Sequence, residues 1–264
     1  MLENKFEKTP IVRLKEKINK NNVFIKRDDL FPVSFGGNKA RKAVLFFEDI
    51  EKTGSDCIVT YGSSSSNHCR VIANIAASKG IPCHIVSPIE SNKITSNSKL
   101  VKLFGASVIV CPVSEVSKTI NNKLQELKES GYKPYFIQGG GHGNLGTQAY
   151  VNVYEEIIEF EKEYGIYFDY IFLTSGTGTT QAGLICGKLI HGDQRKIIGI
   201  SNARKNPYGG QVVLESVNHY LKGLGLNSID ICDIEFIDDF VLEGYGSYNQ
   251  QVLETIKEVL LNDG

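Results

Sequence analysis

Tyr170-Ile171-Phe172-Leu173-Thr174-Ser175-Gly176-Thr177-Gly178-Thr179-Thr180-Gln181 is the stretch whose reading decides the fold. Four apolar residues suited to a buried strand break into small residues and hydroxyls, and Gln181–Leu189 then reads as a helix. The same unit occurs earlier, where Cys57-Ile58-Val59-Thr60-Tyr61 breaks at Gly62–His68 and continues as a helix through Val71, Ile72, Ile75 and Ala76. Outward from these two units, strands at 81–86, 107–111, 135–137, 197–200 and 236–241 alternate with helices near 94–104, 114–129, 145–162, 211–222 and 249–261. Short, continuous, apolar strands separated by helices predict an α/β protein with parallel sheets covered on both faces. Residues 9–12 read as an entry turn and Val23–Arg27 as a strand ending in the acidic turn Asp28-Asp29.

The chain has 264 residues, 41% hydrophobic and 22% charged, with a formal net charge of −1. That is a core-forming composition with no electrostatic case for nucleic acid or a membrane surface. No apolar run reaches the roughly 18 residues of a membrane span, and Met1-Leu2-Glu3-Asn4-Lys5 lacks a secretory apolar core, so a cytoplasmic protein is expected. The six cysteines form no Cys-x-x-Cys pair and the five histidines no ligand spacing, so no metal site is expected. Cys57, Cys83, Cys111 and Cys186 read as core residues, while Cys69 adjoins a polar motif.

In an open α/β sheet, ligands bind beyond the carboxyl ends of strands, where helix N-termini converge. Three loops occupy that position. Ser175–Thr180 exposes backbone N–H groups and hydroxyls that suit a phosphate. A dinucleotide fingerprint would want Gly or Ala at Gln181 and an acid near Ser201-Asn202, and a P-loop would want Gly-Lys-Ser/Thr; a lone phosphate or a simple tight connection remains. Ser63–His68 places Ser66, Asn67 and His68 at a helix start that could hold a carboxylate, the alternative being a solvent-facing serine loop. Glu243–Ser247 sets Tyr245 between glycines, in a cleft or in a surface turn.

Gly36-Gly37-Asn38-Lys39-Ala40-Arg41-Lys42 heads a helix continuing through Ala43, Phe46, Phe47 and Ile50, with Asn38 as the expected N-cap. Its charges run against its dipole: Lys39, Arg41 and Lys42 crowd the positive end, and Glu48, Asp49 and Glu51 the negative end. The arrangement fits either a solvated basic turn or a lysine whose amine is kept neutral to attack a carbonyl. A lysine nucleophile, a phosphate cradle without a nucleotide signature and a carboxylate-binding turn are the three functions that pyridoxal phosphate requires.

The chain resembles the 1-aminocyclopropane-1-carboxylate deaminase/D-cysteine desulfhydrase family of fold-type II pyridoxal-phosphate enzymes. The segments that carry the resemblance are Lys26–Leu30, Phe35–Lys42, Tyr61–Arg70, Gly139–Gly146, Thr174–Gly183 and Gly244-Tyr245-Gly246. The resemblance implies two open, twisted, mainly parallel sheets flanked by helices. It implies a smaller domain at 43–148 and a larger one from 1–42 plus 149–264. Lys39 would carry the Schiff base to the cofactor and shuttle a proton. Lys42, Ser175, Gly176, Thr177, Gly178, Thr179 and Thr180 would hold the phosphate, and Asn67 the pyridine hydroxyl. Ser66 with the amides of Asn67 and His68 would hold the substrate carboxylate, and Ser66 and Tyr245 would take part in the chemistry.

The expected reaction is α-proton removal and β-elimination on a small amino acid such as D-cysteine. The alternatives are cyclopropane deamination, or a cofactor-binding protein with impaired catalysis. A homodimer is expected. Two departures stand out. Ser63-Ser64-Ser65 replaces a Gly-Gly-hydrophobic-Gln-like run. After Gly264 the family pattern continues into an Asp-Pro-x-Tyr-x-Gly-Lys-type segment bearing a second tyrosine, specificity residues and a partner for the pyridine nitrogen, so the C-terminal part of the larger domain is expected to be missing here.

Overall fold

The computed structural model describes residues 8–15 and 17–263; the N-terminal stretch Met1–Lys5 lies outside them. An antiparallel pair opens the chain, with β1 (Ile11–Arg13) against β2 (Phe24–Lys26), so the segment read as an entry turn is a short strand. A 3-10 turn at Asp28–Leu30 leads to α1 (Asn38–Thr53).

Four parallel strands then form the first sheet: β3 (Cys57–Tyr61), β4 (Cys83–Pro88), β5 (Ser107–Cys111) and β6 (Pro134–Ile137). They alternate with α2 (Asn67–Ser78), α3 (Ser96–Leu103) and α4 (Val116–Glu129). Their order is β5-β4-β3-β6, with Ile58 beside Cys83 on one flank and Tyr135 on the other. The chain leaves β3 towards β4 and later returns to β3's opposite side as β6. The strand order therefore reverses between β3 and β6, and the crevice at their carboxyl ends is where an open α/β sheet binds its ligand.

After the 21-residue α5 (Asn144–Tyr164) comes a second parallel sheet of β7 (Tyr170–Ser175), β8 (Lys196–Ser201) and β9 (Glu235–Ile237), in that order. It is interleaved with α6 (Thr179–Ile190) and α7 (Tyr208–Gly223), and α8 (Gln250–Asp263) ends the described chain. The strand expected at 236–241 stops at Ile237, where the chain enters the turns 238–249. Among the described residues no helix is long and apolar enough to cross a membrane.

Three apolar cores hold these layers. Phe46, Phe47 and Ile50 of α1 pack with Val71, Ile72 and Ala76 of α2 onto one face of the first sheet. Val116, Ile120 and Leu127 of α4 cover Cys57, Val59 and Val86 on the other. Tyr150, Tyr154, Ile185, Cys186, Val213 and Val217 join α5, α6 and α7 beside the second sheet. Full burial of each large apolar side chain contributes roughly 1.5–3 kcal/mol before entropy is counted. The α5–α6 contact is close enough that a Cβ on Gly183 would lie 2.4 Å from the Thr147 carbonyl oxygen, and one on Gly187 would lie 2.5 Å from Tyr154 Cβ.

Candidate active site

A cleft of 1310 Å³ opens where the carboxyl ends of both sheets meet α1. Its lining includes Lys39, Ser66, Asn67, His68, Gly140, Ser175–Gly178, Thr180, Arg204 and Tyr245, so all three loops singled out in the sequence converge on the head of α1.

The glycines before α1 explain how its head is placed. Gly36 and Gly37 have φ of 68° and 88°, and a Cβ on Gly36 would lie 2.2 Å from the Asp29 carbonyl oxygen. Only glycine combines that backbone with that approach. Gly37 is the N-cap, not Asn38 as expected. Asn38 is already helical, and its amide donates to Thr180 Oγ1 at 3.0 Å, tying α1 to the first turn of α6.

Lys39 lines the cleft, and Lys42, one turn along on the same side of α1, is buried next to it. Lys39 Nζ donates to the Gly140 carbonyl at 2.9 Å. Burial, and then the Arg204 guanidinium, push its amine down to about 8. Lys42 is 1% exposed, and its Nζ donates to Thr179 Oγ1 at 2.6 Å. Burial first, and Lys39 second, hold its amine well below the ordinary lysine range. A solvated basic turn is thereby excluded.

Arg41 resolves differently. Its guanidinium bonds Asp28 Oδ1 at 2.9 Å and both oxygens of Glu156 at 2.6 and 2.9 Å. Lys26 joins Glu156 at 2.5 Å, and Tyr150 donates to Asp28 Oδ2 at 2.6 Å. The cation of Arg41 is thus satisfied by acids of the protein, while the amines of Lys39, which lines the cleft, and Lys42, buried beside it, bond a carbonyl and a hydroxyl instead.

The donor set of the β7–α6 loop fits a phosphate. Ser175 Oγ and, beside the loop, Asn202 Oδ1 are buried without a hydrogen-bond partner. Gly178 has φ of 92°, and a Cβ on Gly176 would lie 3.0 Å from Asn202 Oδ1. The N-terminus of α6 and the Lys42 amine both face this loop, which gives an anion dipole, hydroxyl and cationic partners together.

The serine loop divides its work. Ser64 Oγ donates to the Ser91 carbonyl at 2.7 Å and accepts from Lys93 N, while Thr95 Oγ1 and Asn97 Nδ2 bond the Ser64 and Ser65 carbonyls. Those two serines knit the loop to the head of α3. Ser66 is the N-cap of α2, its Oγ accepting from Cys69 N at 3.2 Å, and it opens onto the cleft beside Asn67. The His68 ring turns inward, where Nε2 lies 2.8 Å from Thr60 Oγ1; burial pushes it well below the ordinary histidine value, so it is a neutral core side chain. Any contribution of His68 to ligand binding comes from its backbone. Tyr245 stands half exposed at the cleft between Gly244 and Gly246, with φ of 125° and 86°, and burial pushes its hydroxyl upward.

Sequence reasoning missed His142, Arg204 and Tyr208, which also line the cleft. Arg204 and Tyr208 stand in the polar stretch 202–210, which carries no motif of its own. The rule that picked out the loops after β3 and β7 applies equally to the loop after β8, and would have drawn attention to Arg204.

The chain and its fold are similar to those of known proteins. The family model described as pyridoxal-phosphate dependent enzyme matches residues 2–264. A D-cysteine desulfhydrase of Serratia proteamaculans is 31% identical over 254 residues, covering 92% of this chain and 75% of that protein. A 1-aminocyclopropane-1-carboxylate deaminase of Bradyrhizobium diazoefficiens is 31% identical over 272 residues, covering 96% of this chain and 80% of that protein. A solved structure described as an ACC deaminase homologue superposes with a TM-score of 0.86 at 29% identity, over 98% of this chain and 79% of that one. With two parallel sheets flanked by helices and this site between them, the chain belongs to the pyridoxal-phosphate-dependent enzymes, in the 1-aminocyclopropane-1-carboxylate deaminase/D-cysteine desulfhydrase family.

Proposed function

We propose that the protein is an amino-acid lyase of the D-cysteine desulfhydrase type, acting in the cleft at the head of α1. The observation that carries this reading is the pair of lysines on one face of α1, with Lys42 hydrogen-bonded to Thr179 in the first turn of α6 and Lys39 bonded to a carbonyl and to no acid. Bound pyridoxal phosphate supplies the carbonyl that condenses with an amine and the ring that makes an α-proton removable.

In this reading Lys42, the hydroxyls of Ser175, Thr177, Thr179 and Thr180, and the backbone at Gly176 and Gly178 hold the phosphate. Asn67 meets the ring hydroxyl. Lys39 would be the amine that holds the cofactor covalently and the base that takes the substrate's α-proton at its Nζ. Its depressed basicity, about 8, suits both tasks because a useful fraction is neutral near physiological pH. Ser66 and the amides of Asn67 and His68, at the positive end of α2, hold the substrate carboxylate. Tyr245 covers the substrate from the open side, with its hydroxyl kept protonated as a donor. The two sheets serve as two domains, 43–148 and 1–42 plus 149–264, and the assembly is a homodimer.

With D-cysteine and water the balance is pyruvate, ammonia and hydrogen sulfide. A second reading is favoured by the equally similar 1-aminocyclopropane-1-carboxylate deaminase: ring opening of that substrate with one water gives 2-oxobutanoate and ammonia. Incubating the cofactor-loaded protein with each substrate and quantifying the two keto acids separates the readings. Pyruvate with sulfide from D-cysteine supports the first, 2-oxobutanoate supports the second, and neither keto acid overturns both.

A further inference from the structure

Among the described residues three arginines are buried: Arg41, Arg70 and Arg195. Arg41 pairs with Asp28 and Glu156, and Arg195 with Glu161 and Asp193. Arg70, on α2 and only 8% exposed, pairs with no carboxylate among the described residues. Its Nη1 donates to the Ser34 carbonyl at 2.7 Å, and its Nε is buried without a hydrogen-bond partner. The exposed Phe35 ring stands 5.3 Å from the guanidinium carbon, but a ring face is no counter-charge. Burial lowers the basicity of Arg70 and no opposite charge restores it. Buried cations are ordinarily paired, because an unmatched one keeps the full cost of leaving water.

Arg70 lines a second cavity, of 200 Å³, together with Asn38 and Lys39 from the head of α1, Asn67 from the head of α2, and Phe35 and Asp29 from the loops before α1. The positive ends of a 16-residue and a 12-residue helix therefore meet there. The backbone N–H groups of Asn38 and Lys39 have no acceptor among the described residues. Asp29 is the one acid in the lining, and it is occupied by Arg27 through hydrogen bonds of 3.0, 3.2 and 2.8 Å. The cavity shares Asn38, Lys39 and Asn67 with the main cleft, but no residue of the β7–α6 loop lines it. An anion in the phosphate cradle thus leaves Arg70 unmatched.

We propose that this second cavity is an anion-binding site, in which a small oxyanion (a carboxylate or an inorganic ion) supplies the counter-charge that Arg70 lacks. The guanidinium gives the anion a charge-assisted hydrogen bond, and the heads of α1 and α2 give it N–H donors and two dipoles. The site stands independently of the cofactor reading, since none of its donors is assigned to the phosphate.

The test reads the Nε–H nuclear magnetic resonance signal of Arg70, assigned by its loss in a folded Arg70→Lys variant. Sodium acetate and sodium sulfate are titrated separately, with and without pyridoxal phosphate. A saturable shift of that signal is expected in both forms of the protein, with acetate if the site takes carboxylates and with sulfate if it takes inorganic ions. Calorimetry on Arg70→Gln and Arg70→Met, each checked for folding by circular dichroism, should show that binding event weakened roughly tenfold to a hundredfold. Ser66→Ala, which alters the neighbouring carboxylate turn, should leave the Arg70 shift in place. An Arg70 signal unmoved by either anion overturns the proposal. So does a shift abolished by pyridoxal phosphate, which would put the anion in the phosphate cradle, or one abolished by Ser66→Ala, which would put it at the head of α2 in the main cleft.

Discussion

Lys42 Nζ donates to Thr179 Oγ1 at 2.6 Å, joining the first turn of α1 to the first turn of α6 across 137 positions of chain. Both helix N-termini thereby converge on one buried amine that has no carboxylate partner among its hydrogen bonds. An anion placed there gains two dipoles and a desolvated ammonium.

Lys42→Met should weaken pyridoxal phosphate binding roughly tenfold to a hundredfold. That follows from losing one charge-assisted hydrogen bond of about 1.5–3 kcal/mol. Fluorescence titration of cofactor into the apoprotein measures it. Binding of pyridoxal without phosphate should change little, which distinguishes a phosphate contact from general damage to the cleft.

The α5–α6 contact should tolerate no extra methyl group. Gly183→Ala puts a Cβ against the Thr147 carbonyl and Tyr150, so overpacking of about 1–3 kcal/mol is expected in denaturant unfolding. Because Tyr150 hydrogen-bonds Asp28, the strain reaches the network behind Lys39.

That network should dominate local stability. Arg41→Met leaves Asp28 and Glu156 without their shared cation, at a cost on the order of 3–5 kcal/mol. Equilibrium unfolding in denaturant gives the number. A loss under about 1 kcal/mol would mean that Lys26 alone satisfies Glu156.

Acid sensitivity follows with a definite sign. Burial raises the Glu156 carboxyl, but hydrogen bonds from Arg41 and Lys26 overcome it and leave it lowered. Asp193 is likewise lowered despite burial, by hydrogen bonds from Tyr154, Tyr167 and Arg195. Both are depressed in the folded state, so their contribution is complete above the unfolded carboxylate values near pH 4. It is lost as pH falls through the folded values. Melting temperature should hold above about pH 5 and fall below pH 4. Glu156→Gln should flatten part of that fall.

Much of this was legible in the sequence because the signals were local. The runs at Cys57–Tyr61 and Tyr170–Leu173 are continuous and apolar, and the break into Ser/Gly/Thr fixes where each helix begins. The reversed charge on α1 marked Lys39 and Lys42 for the same local reason. Arg41 was misjudged as their equal because its partners, Asp28 and Glu156, stand 13 and 115 positions away, and no periodicity reports such pairs. Asn38 looked like an N-cap because its residue type favours caps, but the bond it makes is to Thr180, from another helix. Ser64 looked like part of the binding loop, and its partners on residues 91–95 could not be read from sequence spacing.

The central claim is that Lys39 is the amine that takes the cofactor. Pyridoxal phosphate is added to the apoprotein, the linkage is fixed with borohydride, and the labelled peptide is mapped by mass spectrometry. A phosphopyridoxyl group on Lys39, absent from a folded Lys39→Ala variant, is the predicted result. A label on Lys42 or a surface lysine, or the same labelling in Lys39→Ala, would contradict it.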